Sequence, residues 1–364
     1  MHVVGLQKPA YVKRRIKDLR DKKEAHIGNA KQTVIDWHQP TYLDLPDLRM
    51  AVFQAGEKSS HRPSIVLCHG FPEMAYSWRH IVGPLVDAGF HVVMPEQRGY
   101  GFTGAALSDA GDASAIPLYD MTHLCGDLAH LLDALEIDKA IFAGHDWGGL
   151  VTWQLPFFHP DRVAGLVGVN TPFIPRLSMD PIEAFRAVYG DAFYICAFQE
   201  YGVAEACLDA DKGRTLRSMY RSNNGISAKP AATTHNPMWD NLELLNILKA
   251  DENDWPGRVL FSDEVLAYYT QGFERSGFRG PVNWYRNFSR NWEMSAGFEQ
   301  KITLPSLMIC AENDKAIPPS MADGMEKYVP DLEKHLIKDC GHWTQNEKPE
   351  ALSGLMVDWL SRRF

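Results

Sequence analysis

Short apolar runs recur along the chain, and within each run the apolar residues are continuous rather than alternating. Residues 64–68, 91–94, 140–143 and 165–170 read Ser-Ile-Val-Leu-Cys, His-Val-Val-Met, Ala-Ile-Phe-Ala and Gly-Leu-Val-Gly-Val-Asn. Runs of this length, rich in β-branched residues, predict strands buried on both faces. Between them stand longer stretches with apolar residues at helical spacing, such as 124–135. The alternation predicts the α/β class, a mostly parallel sheet with helices on both faces. Near Pro172 the rhythm breaks: residues 173–300 are aromatic and helical in pattern, and strand-like runs return only at 306–310 and 335–337. The chain therefore reads as an N-terminal extension (1–40), the first part of an α/β core (41–172), an inserted helical cap (173–300) and the second part of the core (301–364).

Composition narrows the class without naming an activity. At 364 residues, 45% hydrophobic and 23% charged, the chain is an ordinary globular protein able to bury a sizeable core. Its formal charge of -9 gives no electrostatic footprint for nucleic acid. A basic run at 8–23, including Lys13, Arg14, Arg15, Lys17 and Arg20, reads as a solvated surface helix or loose arm. Cys68, Cys125, Cys196, Cys207, Cys310 and Cys340 stand singly, with no Cys-x-x-Cys spacing for zinc, and are expected to be free thiols. No stretch approaches the ~18 apolar residues of a membrane span, and the opening residues do not form a signal segment. The expected setting is the cytoplasm, as a monomer or homodimer.

Chemistry gathers at the ends of the predicted strands. Gly144-His-Asp-Trp-Gly-Gly149 follows one strand and precedes a helical pattern. Small residues on either side of Asp146 permit a sharp strand-to-helix turn that holds its side chain out at the sheet edge, the place of a hydrolase nucleophile. An Asp there can also merely cap a helix. His69-Gly-Phe-Pro-Glu73 follows another strand, so that the backbone amides of Phe71 and Trp147 form a candidate oxyanion hole. Asp314 and His342 follow the last two strands, giving the chain order nucleophile, acid, histidine. Glu312 and Asp339 are alternative acids.

With these four elements the chain resembles the α/β-hydrolase family. In the insertion it resembles the soluble (cytosolic-type) epoxide hydrolases, through 193–205 (Phe-Tyr-Ile-Cys-Ala-Phe-Gln-Glu-Tyr-Gly-Val-Ala-Glu) and 269–287, which contains Ser-Gly-Phe-Arg-Gly-Pro-Val-Asn-Trp-Tyr-Arg-Asn. The resemblance implies that each cap segment supplies one tyrosine to hold the epoxide oxygen. By position these are Tyr194 and Tyr269, with Tyr268 one register step away. It further implies a small epoxide substrate, apolar or aryl, in a pocket lined by Phe71, Trp147, Ile195 and Trp343, and no metal or cofactor. The chain departs from the family pattern in three places: Glu96 stands where Asp is usual, Tyr201 replaces a proline, and Ile195 replaces a polar Gln. These changes are expected to alter pocket lining more than reaction. Too few residues precede His69 to hold the N-terminal phosphatase domain of mammalian members, so no phosphatase activity is expected.

An Asp rather than a Ser at the elbow favours backside displacement at a tetrahedral carbon, because attack on an ester carbonyl would give a reactive anhydride. Opening an epoxide also needs a donor to the departing alkoxide, a part that neutral tyrosines can play. The ester so formed is hydrolysed by water with His342 as base, Asp314 as its orienter and the two amides as oxyanion donors. A haloalkane dehalogenase shares the Asp and the Trp after it. However, many dehalogenases carry Asn at the position of Phe71, and the fluoroacetate type carries Arg at that of Trp147. A non-catalytic receptor on the same scaffold would be expected to lack part of the triad.

Overall fold

The structure is a computed structural model and describes residues 35–222 and 241–364; the basic run at 8–23 lies outside them. Among the described residues ten strands form, in chain order: β1 (Thr41–Leu45), β2 (Leu48–Ala55), β3 (Ser64–Cys68), β4 (Val92–Pro95), β5 (Ala140–His145), β6 (Val163–Val169), β7 (Arg221–Ser222), β8 (Arg258–Val259), β9 (Ser306–Ala311) and β10 (Leu332–Ile337). Eight of them make one sheet in the order β1-β2-β4-β3-β5-β6-β9-β10, while β7 and β8 pair separately. The β1–β2 and β2–β4 pairings are antiparallel and all others in the large sheet are parallel.

The continuous apolar runs sit where both faces are covered. Along β3 the side chains alternate between two cores. Val66 and Cys68 join Phe142, Leu128, Leu132 and Val151 on one face, under the helices Met121–Ala134 and Trp147–Phe158. Ile65 and Leu67 join Ile141, Leu85, Met356 and Trp359 on the other, under Val82–Asp87 and Pro349–Arg363. Each such buried side chain contributes roughly 1.5–3 kcal/mol relative to exposure, so both faces must be apolar and the strand pattern cannot alternate. The antiparallel β1–β2 edge was not singled out from the sequence pattern.

The chain leaves the large sheet after Val169 and rejoins it at Ser306. The described residues in between are mostly helical, including Pro181–Tyr189, Val203–Leu208, Lys212–Met219, Asp263–Ser276 and Arg279–Arg286. Their aromatic residues serve as packing: Phe273 stacks on Phe278 at 4.3 Å, and the buried Trp284 donates its indole N–H to the carbonyl of Arg98 in the core. Among the described residues no helix is long and apolar enough to cross a membrane.

Because the central strands run parallel, their C-terminal ends share one edge. The segments that leave β3, β5, β6, β9 and β10 there carry Phe71, Asp146, Asn170, Asp314 and His342.

Candidate active site

Asp146 sits between β5 and the helix Trp147–Phe158 with φ 52° and ψ -122°, a backbone state rare for a side-chain-bearing residue. Strain of about 1–3 kcal/mol is held there by the surrounding glycines. A Cβ on Gly144 would come within 2.1 Å of the Gly148 carbonyl oxygen, and one on Gly148 within 2.1 Å of that of Cys68. The turn therefore has space only for glycine at both positions.

The carboxylate is oriented before any ligand arrives. Its Oδ1 accepts the Phe71 amide at 2.7 Å, and the Trp147 amide also bonds the carboxylate. Burial pushes the Asp146 carboxyl upward, against the charges of His342 and His145 and against these two amides. Oδ2 faces Nε2 of His342 across 3.9 Å, too far for a hydrogen bond.

His342 Nδ1 lies 2.9 Å from Oδ2 of Asp314, whose side chain has no exposed surface. Asp314 Oδ1 accepts the amides of Ala316 and Ile317 at 2.9 Å each, and Asn170 donates to Oδ2 at 2.7 Å. Burial works against the charged form of Asp314, but His342 and these donors outweigh it and hold its carboxyl below the ordinary value. Burial also opposes a charge on His342, yet Asp314, Asp146 and Glu73 raise it to about 9. The alternative acids are elsewhere: Glu312 accepts the backbone amide of Asp339 at 3.0 Å.

Behind the imidazole lies a buried network that the sequence reading did not contain. Glu73 Oε1 pairs with Nδ1 of His145, Nε2 of His145 bonds the His342 carbonyl at 2.7 Å, and Gln345 donates to the other Glu73 oxygen at 2.7 Å. Asn170, with φ 62°, donates to Asp314 and accepts from Thr344. Glu73 and His145 were visible in the two motifs, but nothing in their spacing states that one side chain meets the other.

The cap tyrosines require a correction. The Tyr194 hydroxyl is pushed well up by burial and by the charges of Asp146 and Asp314. Tyr269 does not reach the carboxylate. Its hydroxyl bonds Ser77 Oγ at 2.7 Å, and its ring is buried against Phe261 and Tyr220. Tyr268 donates to the Trp37 carbonyl. Beside Asp146 lies instead Tyr285, from the Asn-Trp-Tyr-Arg stretch of the same segment. Its ring meets Trp147 at 5.0 Å, Phe71 at 5.2 Å and Tyr194 at 5.6 Å. It hydrogen-bonds Tyr194, lies within the field of Asp146 and is bonded by the Trp147 side chain. Tyr285 stands on the helix Arg279–Arg286 and packs on Trp147, whereas Tyr269 stands on the preceding helix Asp263–Ser276 and bonds Ser77.

Of the remaining pocket positions, Ile195 is buried in the helical turn that begins with Tyr194. Trp343 lies edge-on to His342 at 4.7 Å, and its indole N–H donates to the Met219 carbonyl. Glu96 and Tyr201 do not contribute pocket lining in the way expected. Glu96 is fully buried, accepting the Ala75 amide, and burial pushes it up to about 8. Tyr201 is partly exposed and donates to the Gly111 carbonyl.

Residues 63–349 match the family described as alpha/beta hydrolase fold. The chain is 38% identical over 320 residues to bifunctional epoxide hydrolase 2 of Rattus norvegicus, covering 86% of this chain and 54% of that protein. It thus spans about half the length of that relative. Epoxide hydrolase A of Mycobacterium tuberculosis is 36% identical over 330 residues, covering 88% of this chain and 96% of the relative. Among solved structures, epoxide hydrolase A from Mycobacterium thermoresistibile superposes with a TM-score of 0.75 at 36% identity, over 89% of this chain and 98% of the other. A Vigna radiata epoxide hydrolase mutant does so with 0.74 at 31%, again over 89% and 98%. The family match over residues 63–349, and relatives such as epoxide hydrolase A of Mycobacterium tuberculosis that are aligned over nearly their full length, carry one conclusion: the chain belongs to the α/β-hydrolase family, among its epoxide hydrolases.

Proposed function

We propose that the protein converts a small epoxide, apolar or aryl in character, to a vicinal diol through a covalent ester on Asp146. The observation that carries this reading is the division of labour on that carboxylate. The carboxylate is held by the Phe71 amide on Oδ1 and by the Trp147 amide, and Oδ2 lies 3.9 Å from Nε2 of His342 without a hydrogen bond to it. Oδ2 attacks the epoxide carbon, the C–O bond breaks, and Tyr194 and Tyr285 donate to the departing oxygen. The ester carbonyl oxygen then lies between the two amides. Water, deprotonated by neutral His342, adds to the ester carbon; the tetrahedral intermediate collapses to diol and carboxylate, and the imidazolium is stabilised by Asp314.

The dehalogenase reading is weaker because the Trp147 side chain is already engaged by Tyr285. A halide needs weak donors, whereas an alkoxide needs donors able to share a proton, and a tyrosine pair suits the second. The test is a panel of styrene-type, fatty-acid and short alkyl epoxides beside chloro- and bromoalkanes. Diol formation from epoxides without halide release is expected, and bromoalkane turnover rivalling that of styrene oxide would overturn the reading.

A further inference from the structure

The loop that carries His342 is fastened to the cap, and the fastening point is a carboxylate outside the triad. Glu347 folds back over the short turn Thr344–Glu347 and accepts the two backbone amides that flank the histidine: Trp343 on Oε1 at 3.2 Å and Gly341 on Oε2 at 3.2 Å. Oε2 also accepts the hydroxyl of Ser222, the last residue of β7 in the inserted segment, at 2.7 Å. The carboxylate packs closely on this turn: a Cβ on Gly341 would stand 2.8 Å from Glu347 Oε1.

Two further contacts join the same pieces. The Trp343 indole donates to the Met219 carbonyl at 2.9 Å, and its ring stacks on Tyr220 with centroids 4.0 Å apart at 24°. Residues 219–222 of the cap thus rest on the residues immediately around the base.

We propose that Glu347 is a positioning residue for His342 and that the Ser222 hydroxyl couples its placement to the seating of the cap. The proposal rests on the epoxide-hydrolase reading above and assigns the pair to one half of it. Alkylation uses Asp146 and the tyrosines, none of which Glu347 touches. Ester hydrolysis needs Nε2 of His342 aimed at a water beside the ester carbon, and a rotation of the loop about its two amides would misdirect it. A carboxylate accepts at both oxygens, but a carboxamide presents one acceptor and one donor, so Glu347→Gln can satisfy only one of the two amides.

The experiment is single-turnover reaction with styrene oxide, following ester formation and decay by intact-protein mass, for the wild type, Ser222→Ala, Ser222→Thr and Glu347→Gln. Expected is an alkylation rate within about twofold of wild type throughout. Decay should be slowed on the order of tenfold in Glu347→Gln and roughly threefold in Ser222→Ala, the size of one or part of one charge-assisted hydrogen bond. The ester should accumulate at steady state, and Ser222→Thr, which keeps the hydroxyl, should restore decay. Unchanged decay in both Glu347→Gln and Ser222→Ala would overturn the proposal. So would alkylation and decay falling together with the melting temperature, the mark of a purely structural role. Failure of His342→Gln to form any adduct would overturn the covalent reading itself, a result separable from either of these.

Discussion

Tyr285→Phe and Tyr269→Phe form the most discriminating pair of substitutions, because each removes one phenolic oxygen and keeps the ring. For Tyr285 that oxygen bonds Tyr194 and lies in the field of Asp146. Its loss removes a donor to the developing alkoxide and releases Tyr194 from its partner. General-acid and oxyanion donors contribute on the order of tenfold to a thousandfold, or about 1.4–4 kcal/mol of barrier. For Tyr269 the loss is a 2.7 Å hydrogen bond to Ser77. That bond contributes about 1 kcal/mol to stability and nothing to the transition state. Stopped-flow Trp fluorescence with styrene oxide would measure alkylation, while thermal unfolding of the same proteins would measure stability. Tyr285→Phe should lose alkylation by at least about tenfold, and should also melt slightly lower because its bonds to Tyr194 and Trp147 are lost. Tyr269→Phe should alkylate within about threefold of wild type and melt a few degrees lower. Tyr194→Phe should resemble Tyr285→Phe, and the double variant of these two should lose less than the product of the single losses, because both hydroxyls serve one oxygen. The reverse pattern, Tyr269→Phe inactive and Tyr285→Phe near normal, would refute the assignment and return the donor role to Tyr269.

Two further outcomes follow from the site and the core. In heavy-oxygen water the first-turnover diol should take its new oxygen from Asp146; His342→Gln should trap an adduct of enzyme plus substrate mass, Asp146→Ala should form none, and solvent label in the first-turnover diol would eliminate the ester. Burial raises Glu96 from 4.5 in the unfolded chain to about 8 in the fold, so the folded state holds the proton more tightly; this stabilisation is fully present below pH 4.5 and is lost as pH rises through about 8. Linkage puts the span on the order of 5 kcal/mol. Glu96→Gln should therefore flatten the decline in denaturant stability between pH 6 and 9, and an equally steep decline in the variant would show that another group is responsible.

The legible part of the fold was what local sequence dictates. Strands buried on both faces must be continuously apolar, so β3, β4, β5, β6 and β9 could be read directly, and with them the strand ends on which Asp146, Asp314 and the Phe71 amide stand. The elbow was equally legible, since carbonyl oxygens 2.1 Å from a would-be Cβ leave glycine as the residue that fits at 144 and 148, on either side of Asp146. What could not be read was decided by contacts distant in sequence. Tyr269 and Tyr285 lie on successive helices, and which hydroxyl reaches Asp146 depends on how the two pack over the sheet. The Glu73–His145 pair spans 72 positions and the Ser222–Glu347 bond 125. No periodicity records such pairings.

The ionisation of His342 links the two halves of the proposed reaction. A general base must be neutral, yet in the resting site Asp314, Asp146 and Glu73 together lift His342 to about 9 against the opposing effect of burial. These three carboxylates favour the imidazolium, which faces Oδ2 across 3.9 Å and cannot act as a base while it holds its proton. Formation of the ester changes this, because esterified Asp146 carries no charge and one of the three supports of the imidazolium disappears. Asp314 remains, so the shift is downward but incomplete. His342 should thus titrate at lower pH in the ester than in the free enzyme, and alkylation itself should release the base for the second step. Ester decay followed by pH-jump should rise through a midpoint below the His342 titration seen by NMR in the resting protein, then level off. Asp314→Asn should move the midpoint lower still while slowing decay, since the imidazolium formed in the step loses its partner. A midpoint equal to or above the resting value would mean that the charge of Asp146 does not govern His342, and the coupling between the steps would have to be sought elsewhere.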